Sequence, residues 1–382
     1  YGVDHGSLRN MADYTFTQYM AKVLYPEAFK DIDPVGNLNN YYKTYLPELK
    51  YDGTFMIHLN QKMSSEDFII RQYRNRIRKR VLSTMLVGLI LSVLVFLDIQ
   101  VGSSSIAFKD LVDAVLKGPA GGSSASFIVW EIRLPMTFTC LFVGASLSLA
   151  GLLIQTITNN PLASPYTLGV TAGASFGAAI AITTGFALFG QIWLGVSLAA
   201  LVMALTVSAF IFYLGSKRSL TATTLILVGV IMNFFFQALQ QYLQYRASPE
   251  IAQIISGWTF GNLQRSSWIS AGVSSTCWTI VLLISFCYSW KLTALSDGTE
   301  RARGLGINTD QLRMFVFTVS SVLVASAVAF IGTVAFVGLI SPHCAKLLLG
   351  DDQRFLIIGS SMVGSALMLA ASIISKLMSE GR

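Results

Sequence analysis

The sequence is poor in charge. Only 12% of its 382 residues are Asp, Glu, Lys or Arg, about half of the share that soluble domains carry. Hydrophobic residues make up 53% of the chain, and the mean hydropathy is +0.59. This composition excludes a disordered chain, a collagen-like chain and a conventional soluble enzyme. What remains is an all-α polytopic membrane protein.

Three chemical signatures are also missing. No G-x-x-x-x-G-K-[ST] loop occurs, so the sequence predicts no ATP site of its own. The four cysteines lie inside apolar segments without the paired spacing of a disulfide framework or metal site. No acidic residue lies inside an apolar span, whereas ion-coupled carriers usually bury one there. We therefore expect no catalytic residue, no metal and no cofactor. The lack of an acidic residue within the spans also disfavours an ion-coupled secondary transporter.

Nine stretches are apolar and long enough to be read as membrane spans, which take about 20 helical residues each. They are residues 81–97, 134–157, 168–189, 192–214, 225–245, 268–290, 312–331, 334–349 and 355–377. The eighth is short and contains Pro342, which indicates a kinked or half-length helix. Fourteen Lys or Arg residues flank the spans on one side and five on the other. This bias predicts that the chain enters its first span from the cytoplasm.

Charge also divides the chain along its length. Residues 1–62 carry a net charge of −1 and the remainder +8. We expect a short soluble segment over 1–62, a basic cytoplasmic helix over 63–80 and a transmembrane domain over 81–382. Because the basic residues sit beside apolar spans, topology explains them, and nucleic acid is not expected as a partner.

The fifth predicted span carries a stripe of uncharged amides. Within an arc of about 100° on a helix lie Asn233, Gln237, Gln240, Gln241 and Gln244. Amides at membrane depth need partners or water, because an unpaired amide in hydrocarbon is costly. The stripe therefore predicts either the wall of a wet pathway for a polar cargo or an interhelical hydrogen-bonded interface. A dimer seam that lines the pathway satisfies both interpretations.

Two further segments have a functional and a plain interpretation. Gly144, Ser148 and Gly151 fall near one helix face, which allows close helix packing in lipid and indicates generic membrane packing on physical grounds alone. The loop over residues 291–311 is polar and of mixed charge. It is either a solvated connection or a docking surface for a cytoplasmic partner.

Taken in order, six motifs resemble the permease family of ABC importers for iron–siderophore complexes, haem and cobalamin. They are Arg133-Leu-Pro, Gly151-Leu-Leu-Ile-Gln, Asn160-Pro-Leu-Ala-Ser-Pro, Leu168-Gly-Val-Thr-Ala-Gly-Ala, Glu300-Arg-Ala-Arg-Gly-Leu-Gly and Phe336-Val-Gly-Leu-Ile-Ser-Pro-His. The resemblance runs from about residue 73 to residue 376. Residues 1–59 resemble instead the C-terminal end of a metal-chelate binding protein, and we interpret them as a read-through or gene-model fusion.

The resemblance implies a cobalamin-importer-permease-like fold of ten helices, so one helix is missing and the chain looks truncated at its C-terminus. It also implies a second permease subunit, identical or different, two cytoplasmic ATPase subunits and an external substrate-binding protein. The expected location is the bacterial inner membrane.

The resemblance further assigns roles to residues. It implies that the fifth helix lines the pathway and that the loop after the sixth span contacts the ATPase. The loop residues are Glu300, Arg301, Arg303, Gly304, Leu305 and Gly306. Arg133 matches an outer arginine that docks the binding protein, although Met136 stands where a second arginine is common.

The sequence thus predicts the transmembrane permease subunit of an ATP-driven importer of metal chelates, with ferric siderophore as the favoured cargo and ATP hydrolysis on a separate subunit. Two alternatives stay open at this point: an ion-coupled secondary transporter and a non-transporting membrane scaffold.

Overall fold

The computed structural model describes residues 18, 21–22, 27–33, 36–37, 62–102, 104, 106–119, 121–217 and 222–378. The expected soluble segment over 1–62 therefore lies almost entirely outside the described residues, and its origin stays a prediction. The chain divides into two compact units, Tyr1–Arg78 and Lys79–Arg382. The second unit contains all the features discussed below.

Within the described residues, all of the regular secondary structure is helical. The helices are α1 (Lys62–Gln100), α2 (Phe108–Lys117), α3 (Ser124–Thr158), α4 (Val170–Thr184), α5 (Ile192–Lys217), α6 (Ala222–Arg246), α7 (Pro249–Thr259), α8 (Trp268–Cys287), α9 (Ser289–Ser296), α10 (Thr299–Gly304), α11 (Thr309–Ile331), α12 (Val337–Leu349) and α13 (Gln353–Met378). Helix α3 passes through a π-helical stretch at Ile128–Arg133. A short 3₁₀ turn, Leu263–Arg265, follows α7.

Seven of these helices are long and apolar enough to cross a bilayer, namely α1, α3, α5, α6, α8, α11 and α13. The polytopic all-α fold predicted from the sequence is confirmed. The count of nine complete spans is not, because α4 has 15 residues and α12 has 13. At about 1.5 Å per residue, neither reaches across a hydrocarbon core of about 30 Å. Gly169 and Gly185, both at positive φ, flank α4 and make it shorter than hydropathy indicates.

Helix α3 lies at the centre of the bundle, and nearly all of its residues from Leu134 to Thr158 are buried. Its predicted small face makes the closest helix contacts. A Cβ on Gly144 would stand 2.6 Å from the carbonyl oxygen of Gly364 in α13, and a Cβ on Gly151 would stand 1.8 Å from that of Gly338 in α12. Between them, Ser148 donates its hydroxyl to the carbonyl of Ser360 at 2.6 Å. Small residues thus let α12 and α13 approach the α3 backbone directly.

The connection between α11 and α12 crosses the end of α7. Gly332 has φ 85° and lies so close to Trp258 that a Cβ would be 2.1 Å from its carbonyl oxygen. The amide of Asn262 donates to the carbonyl of Ile331 at 2.7 Å, and the Thr333 hydroxyl donates to the carbonyl of Thr259. This crossing holds the end of α7 beside α6, where the amide stripe lies.

The contact at Gly151 predicts a large difference between two equally conservative substitutions. Gly151→Ala forces a methyl group into the α12 backbone and should lower the free energy of unfolding by about 1–3 kcal/mol. Gly272→Ala is the matched control, since Gly272 lies within α8 and a Cβ there meets nothing within 4 Å. Thermal unfolding of the detergent-purified protein measures both. Equal melting temperatures for the two variants would show that the α3–α12 contact is not close-packed.

Candidate functional site

Four of the five predicted amides line one cavity of about 390 Å³. Gln237, Gln240, Gln241 and Gln244 form its α6 wall. The remaining polar lining comes from α4, α7 and the loops beside them, and consists of Tyr166, Thr171, Ser175, Ser256, Thr259 and Thr333. Among the described residues, every polar side chain that faces this amide cavity is uncharged. The cavity can therefore offer hydrogen bonds to a polar molecule without an ionic attraction that would retain it.

Two of the amides hold α7 against α6. Gln240 donates to the Thr259 hydroxyl at 2.8 Å, and it is itself buried. Gln244 donates to the Ser256 hydroxyl and, at 3.3 Å, to the carbonyl of Ala252. At these two positions the stripe is an interhelical interface, which is one of the two interpretations that the sequence left open.

The other half of the stripe is open. Gln241 is exposed, and none of the hydrogen bonds seen in the described part of the chain involves its side chain. Gln237 is half-buried and donates to Asn233 at 3.3 Å. Asn233 lies outside the cavity lining, with its backbone amide packed against Gly169. Gln237 and Gln241 are therefore the amides best placed to meet a passing molecule.

A second and larger cavity, of about 670 Å³, lies at the ends of α1, α11 and α13 and the start of α3. The charge bias predicts that these ends lie on the side of the membrane away from the cytoplasm, so we call this cavity the outer vestibule. Phe260, at the end of α7, lines both the outer vestibule and the amide cavity and is 84% exposed. The two cavities are thus neighbours with one aromatic side chain between them.

Arg133 lines the outer vestibule but is only 4% exposed. Its guanidinium donates to the carbonyls of Ile99 at 2.8 Å, Gln100 at 2.9 Å and Ser104. The side chain thereby satisfies carbonyls that the end of α1 leaves without helical partners. The sequence did not indicate this structural role. Docking of a binding protein by Arg133 stays a prediction.

Sequence reasoning missed a buried ion pair beside Arg133. Asp98 in α1 is 0% exposed, and the Lys376 ammonium lies 2.8 Å from its Oδ1 atom. Thr137 donates to the other carboxylate oxygen at 2.6 Å, and Ser372 donates to Oδ1 at 2.7 Å. The charge bias placed Lys376 on the outer side, where basic residues are less common. Asp98 lies at the outer end of the first span, and its position there could have indicated it as the partner of Lys376.

Four of the six residues assigned to ATPase contact lie in α10, the other two follow it directly, and all six are exposed. Ala302, which lies among them, is fully buried and anchors α10 to the core. Gly298 and Gly306 flank the helix with φ of 126° and 78°, values that favour glycine. The arrangement exposes Glu300 and Arg301 on a short helix, and Leu305 directly after it, while buried Ala302 packs the helix against the core.

Arg313 also holds this segment in place, a role that sequence analysis did not predict. It is 6% exposed, and its Nε donates to the carbonyl of Ile157 at the end of α3 at 3.0 Å. Its Nη2 donates to the Thr299 hydroxyl at 2.7 Å, and its Nη1 lies 3.7 Å from Asp310. One guanidinium therefore joins α10, α11 and the last turn of α3.

Comparison with known proteins decides the family. The profile of the FecCD transport family matches residues 90–382. The chain belongs to the FecCD transport family. Because its relatives are ABC transporter permeases, the resemblance expected from the motifs is confirmed, and this FecCD protein is a multi-pass permease of the ABC type.

Several relatives cover most of the chain. A Methanocaldococcus jannaschii protein assigned by name to the ABC transporter permeases is 34% identical over 321 residues, which are 81% of this chain and 90% of that protein. The iron(3+)-hydroxamate import system permease of Bacillus subtilis is 30% identical over 84% of this chain and 82% of that protein. The cobalamin import system permease of Halobacterium salinarum is 33% identical over 66% of this chain and 68% of that protein.

A solved structure has the same fold. That structure shows the inward-facing conformation of a protein described as a metal-chelate type ABC transporter. The TM-score is 0.69 and the identity 29%, over 77% of this chain and 90% of that one.

The Arg313 contacts predict that a substitution at this position lowers the stability of the α10 segment rather than of the whole FecCD protein. Arg313→Lys keeps the charge but loses the fork that reaches Ile157 and Thr299 together. We expect amide hydrogen exchange over residues 299–306 to rise about tenfold, which corresponds to about 1.4 kcal/mol of lost local stability. Arg301→Lys is the control, because Arg301 is exposed. Uniform exchange changes along the whole chain would contradict the local role.

Proposed function

We propose that this FecCD protein is the transmembrane permease subunit of an ATP-driven importer of metal chelates in the bacterial inner membrane, with ferric siderophore as its cargo. The names of its relatives support the cargo class, since they include permeases for iron(3+)-hydroxamate, cobalamin and haemin. The single observation that carries the proposal is the amide cavity, because it brings Gln237 and Gln241 to an open polar wall in a membrane helix.

The chemistry of the amide cavity suits passage of a bulky polar molecule. Amides and hydroxyls exchange hydrogen bonds with a chelate as readily as water does, so the cargo loses little on leaving water and is not held by an ion pair. At about 390 Å³, one subunit provides a volume at the low end of small-molecule sites, which span roughly 300–1,000 Å³.

A second permease subunit, identical or different, would complete the pathway. Helix α6 leaves large apolar side chains exposed beside the cavity, among them Phe234, Phe235 and Tyr245. With Gln241 also exposed, a partner helix on this face would bury the aromatic residues and close the cavity from the lipid. The seam would then also line the pathway.

Energy would come from two ATPase subunits on the cytoplasmic side. We propose that they press on the exposed residues of α10 during nucleotide-driven closure. Because Arg313 joins α10 to the end of α3, and α3 is packed directly on α12 and α13, the movement would pass to the outer ends of these helices. An external binding protein would deliver cargo there, near Arg133.

Removing the open amides should slow uptake without harming assembly. In the double variant Gln237→Leu, Gln241→Leu, the cargo loses two hydrogen-bonding partners, each worth about 0.5–1.5 kcal/mol, so uptake should fall roughly tenfold. Uptake of labelled ferric siderophore by the reconstituted importer measures the effect. Gln191→Leu makes the same chemical change at an exposed position outside both cavities. If the double variant transports like the control, the stripe is a packing seam only.

Changing the exposed charges of α10 should uncouple hydrolysis from transport. In the variant Glu300→Gln, Arg303→Gln, we expect ATPase activity to persist while uptake per ATP hydrolysed falls about fivefold or more, the effect of losing roughly 1 kcal/mol of interface contact. The variant Glu250→Gln, Arg246→Gln removes the same charges from exposed positions at the opposite end of the spans. Unchanged coupling in the first variant would refute the assignment of α10.

A further inference from the structure

The described part of the chain lines the outer vestibule with charges of one sign. Among the described residues that line it, Arg133 and Lys376 carry charge, and both are basic. The other polar lining residues are Ser104, Asn262, Gln264, Ser372 and Ser375. The vestibule wall thus combines two cations with hydroxyl and amide groups and presents no carboxylate from this part of the chain.

The carboxylate that pairs with Lys376 is withdrawn from the cavity. Asp98 lies behind the wall with no exposed surface. Besides the ammonium, it accepts hydrogen bonds from Thr137 and Ser372. Counting Asp98, Arg133 and Lys376 together leaves one net positive charge. The hydroxyl dipoles that point at Asp98 offset part of its field, while the two residues that carry the cations line the cavity.

A positive wall in this location acts on cargo more strongly than the same charge on an open surface. The surrounding helices form a low-dielectric medium that screens poorly and focuses the field into the cavity. Through Phe260 the outer vestibule adjoins the amide cavity, whose polar side chains are uncharged in the described chain. Selection by charge would therefore occur before the cargo reaches the amides.

We propose that the outer vestibule selects anionic cargo, meaning oxygen-rich chelates or oxyanions of net negative charge. This deepens the proposed function and rests on it for the direction of transport. The arrangement attracts an anion into the vestibule by field rather than by a committed ion pair, because the nearest donors of Arg133 and Lys376 already contact protein oxygens. A cationic chelate of the same size is disfavoured.

The first test measures the vestibule potential without reference to any cargo. Ser375 is an exposed lining residue, so Ser375→Cys can be modified by methanethiosulfonate reagents of similar size that carry either a sulfonate or a trimethylammonium group. The measured quantity is the ratio of the anionic to the cationic modification rate. We expect this ratio to be about tenfold higher at Ser375→Cys than at Ala187→Cys, an exposed outer-loop position. Labelling of the native cysteines in the parent importer is subtracted. Equal relative rates at the two positions would overturn the proposal.

A charge placed in the wall should remove the preference. Gln264 is exposed and lines the vestibule, and Gln264→Glu changes its charge at nearly constant shape. Combined with Ser375→Cys, it should cut the anionic preference roughly fivefold. Gln191→Glu, on an outer loop away from the vestibule, is the matched control. If Gln191→Glu has the same effect as Gln264→Glu, the field belongs to the whole outer surface and the proposal fails.

The last test concerns the cargo itself. A linear ferric trihydroxamate whose terminal amine is succinylated, acetylated or free carries a charge of about −1, 0 or +1 at neutral pH, as expected from carboxyl and amine pKa values. With the complete importer in vesicles, uptake should fall in that order. Uptake of the cationic form at the rate of the anionic form overturns anion selection. Uptake of molybdate but of no trihydroxamate supports anion selection through an oxyanion and refutes the ferric siderophore of the proposed function.

Discussion

The close approach of α3 to α12 and α13 is the constraint on which the rest of the structure depends. Lipid tails are as apolar as leucine, so helices in a membrane gain little by burying apolar surface and associate through packing and hydrogen bonds instead. Gly144 and Gly151 let two backbones meet the α3 backbone. Because α3 also carries Arg133 near its outer end and meets Arg313 through Ile157 at its inner end, one packed helix joins the outer vestibule to the α10 surface.

The polar side chains that join the helices find partners within the protein, because a polar group removed from water without one is costly. Asp98 has three donors, Arg313 contacts three helices, and Gln240 and Gln244 hold α7 in place. Gln237 and Gln241 depart from complete internal pairing, and they do so where a cavity opens. On the proposed route, Arg133 and Lys376 would make the outer chamber positive, and the amides would make the inner one neutral.

The sequence predicted the helices well because hydropathy and small-residue spacing are local signals. It also placed the amide stripe on one face, since helical periodicity alone determines that. It could not show that Gln240 and Gln244 bond to α7, because those partners lie beyond a turn. The pairing of Asp98 with Lys376 and the contact of Arg313 with Ile157 join residues that are 278 and 156 positions apart, and no local pattern encodes them. The shortness of α4 followed from two glycines at positive φ that hydropathy does not register.

The central claim is that this permease is a conduit that takes its energy from a separate ATPase. The most direct measurement compares chelate uptake into vesicles by the purified chain alone with uptake after the partner ATPase subunits and ATP are added, each with and without a proton uncoupler. The account predicts no nucleotide hydrolysis and no uptake by the chain alone, and uptake with the ATPase that survives the uncoupler. Uptake by the chain alone that collapses with the uncoupler would contradict it.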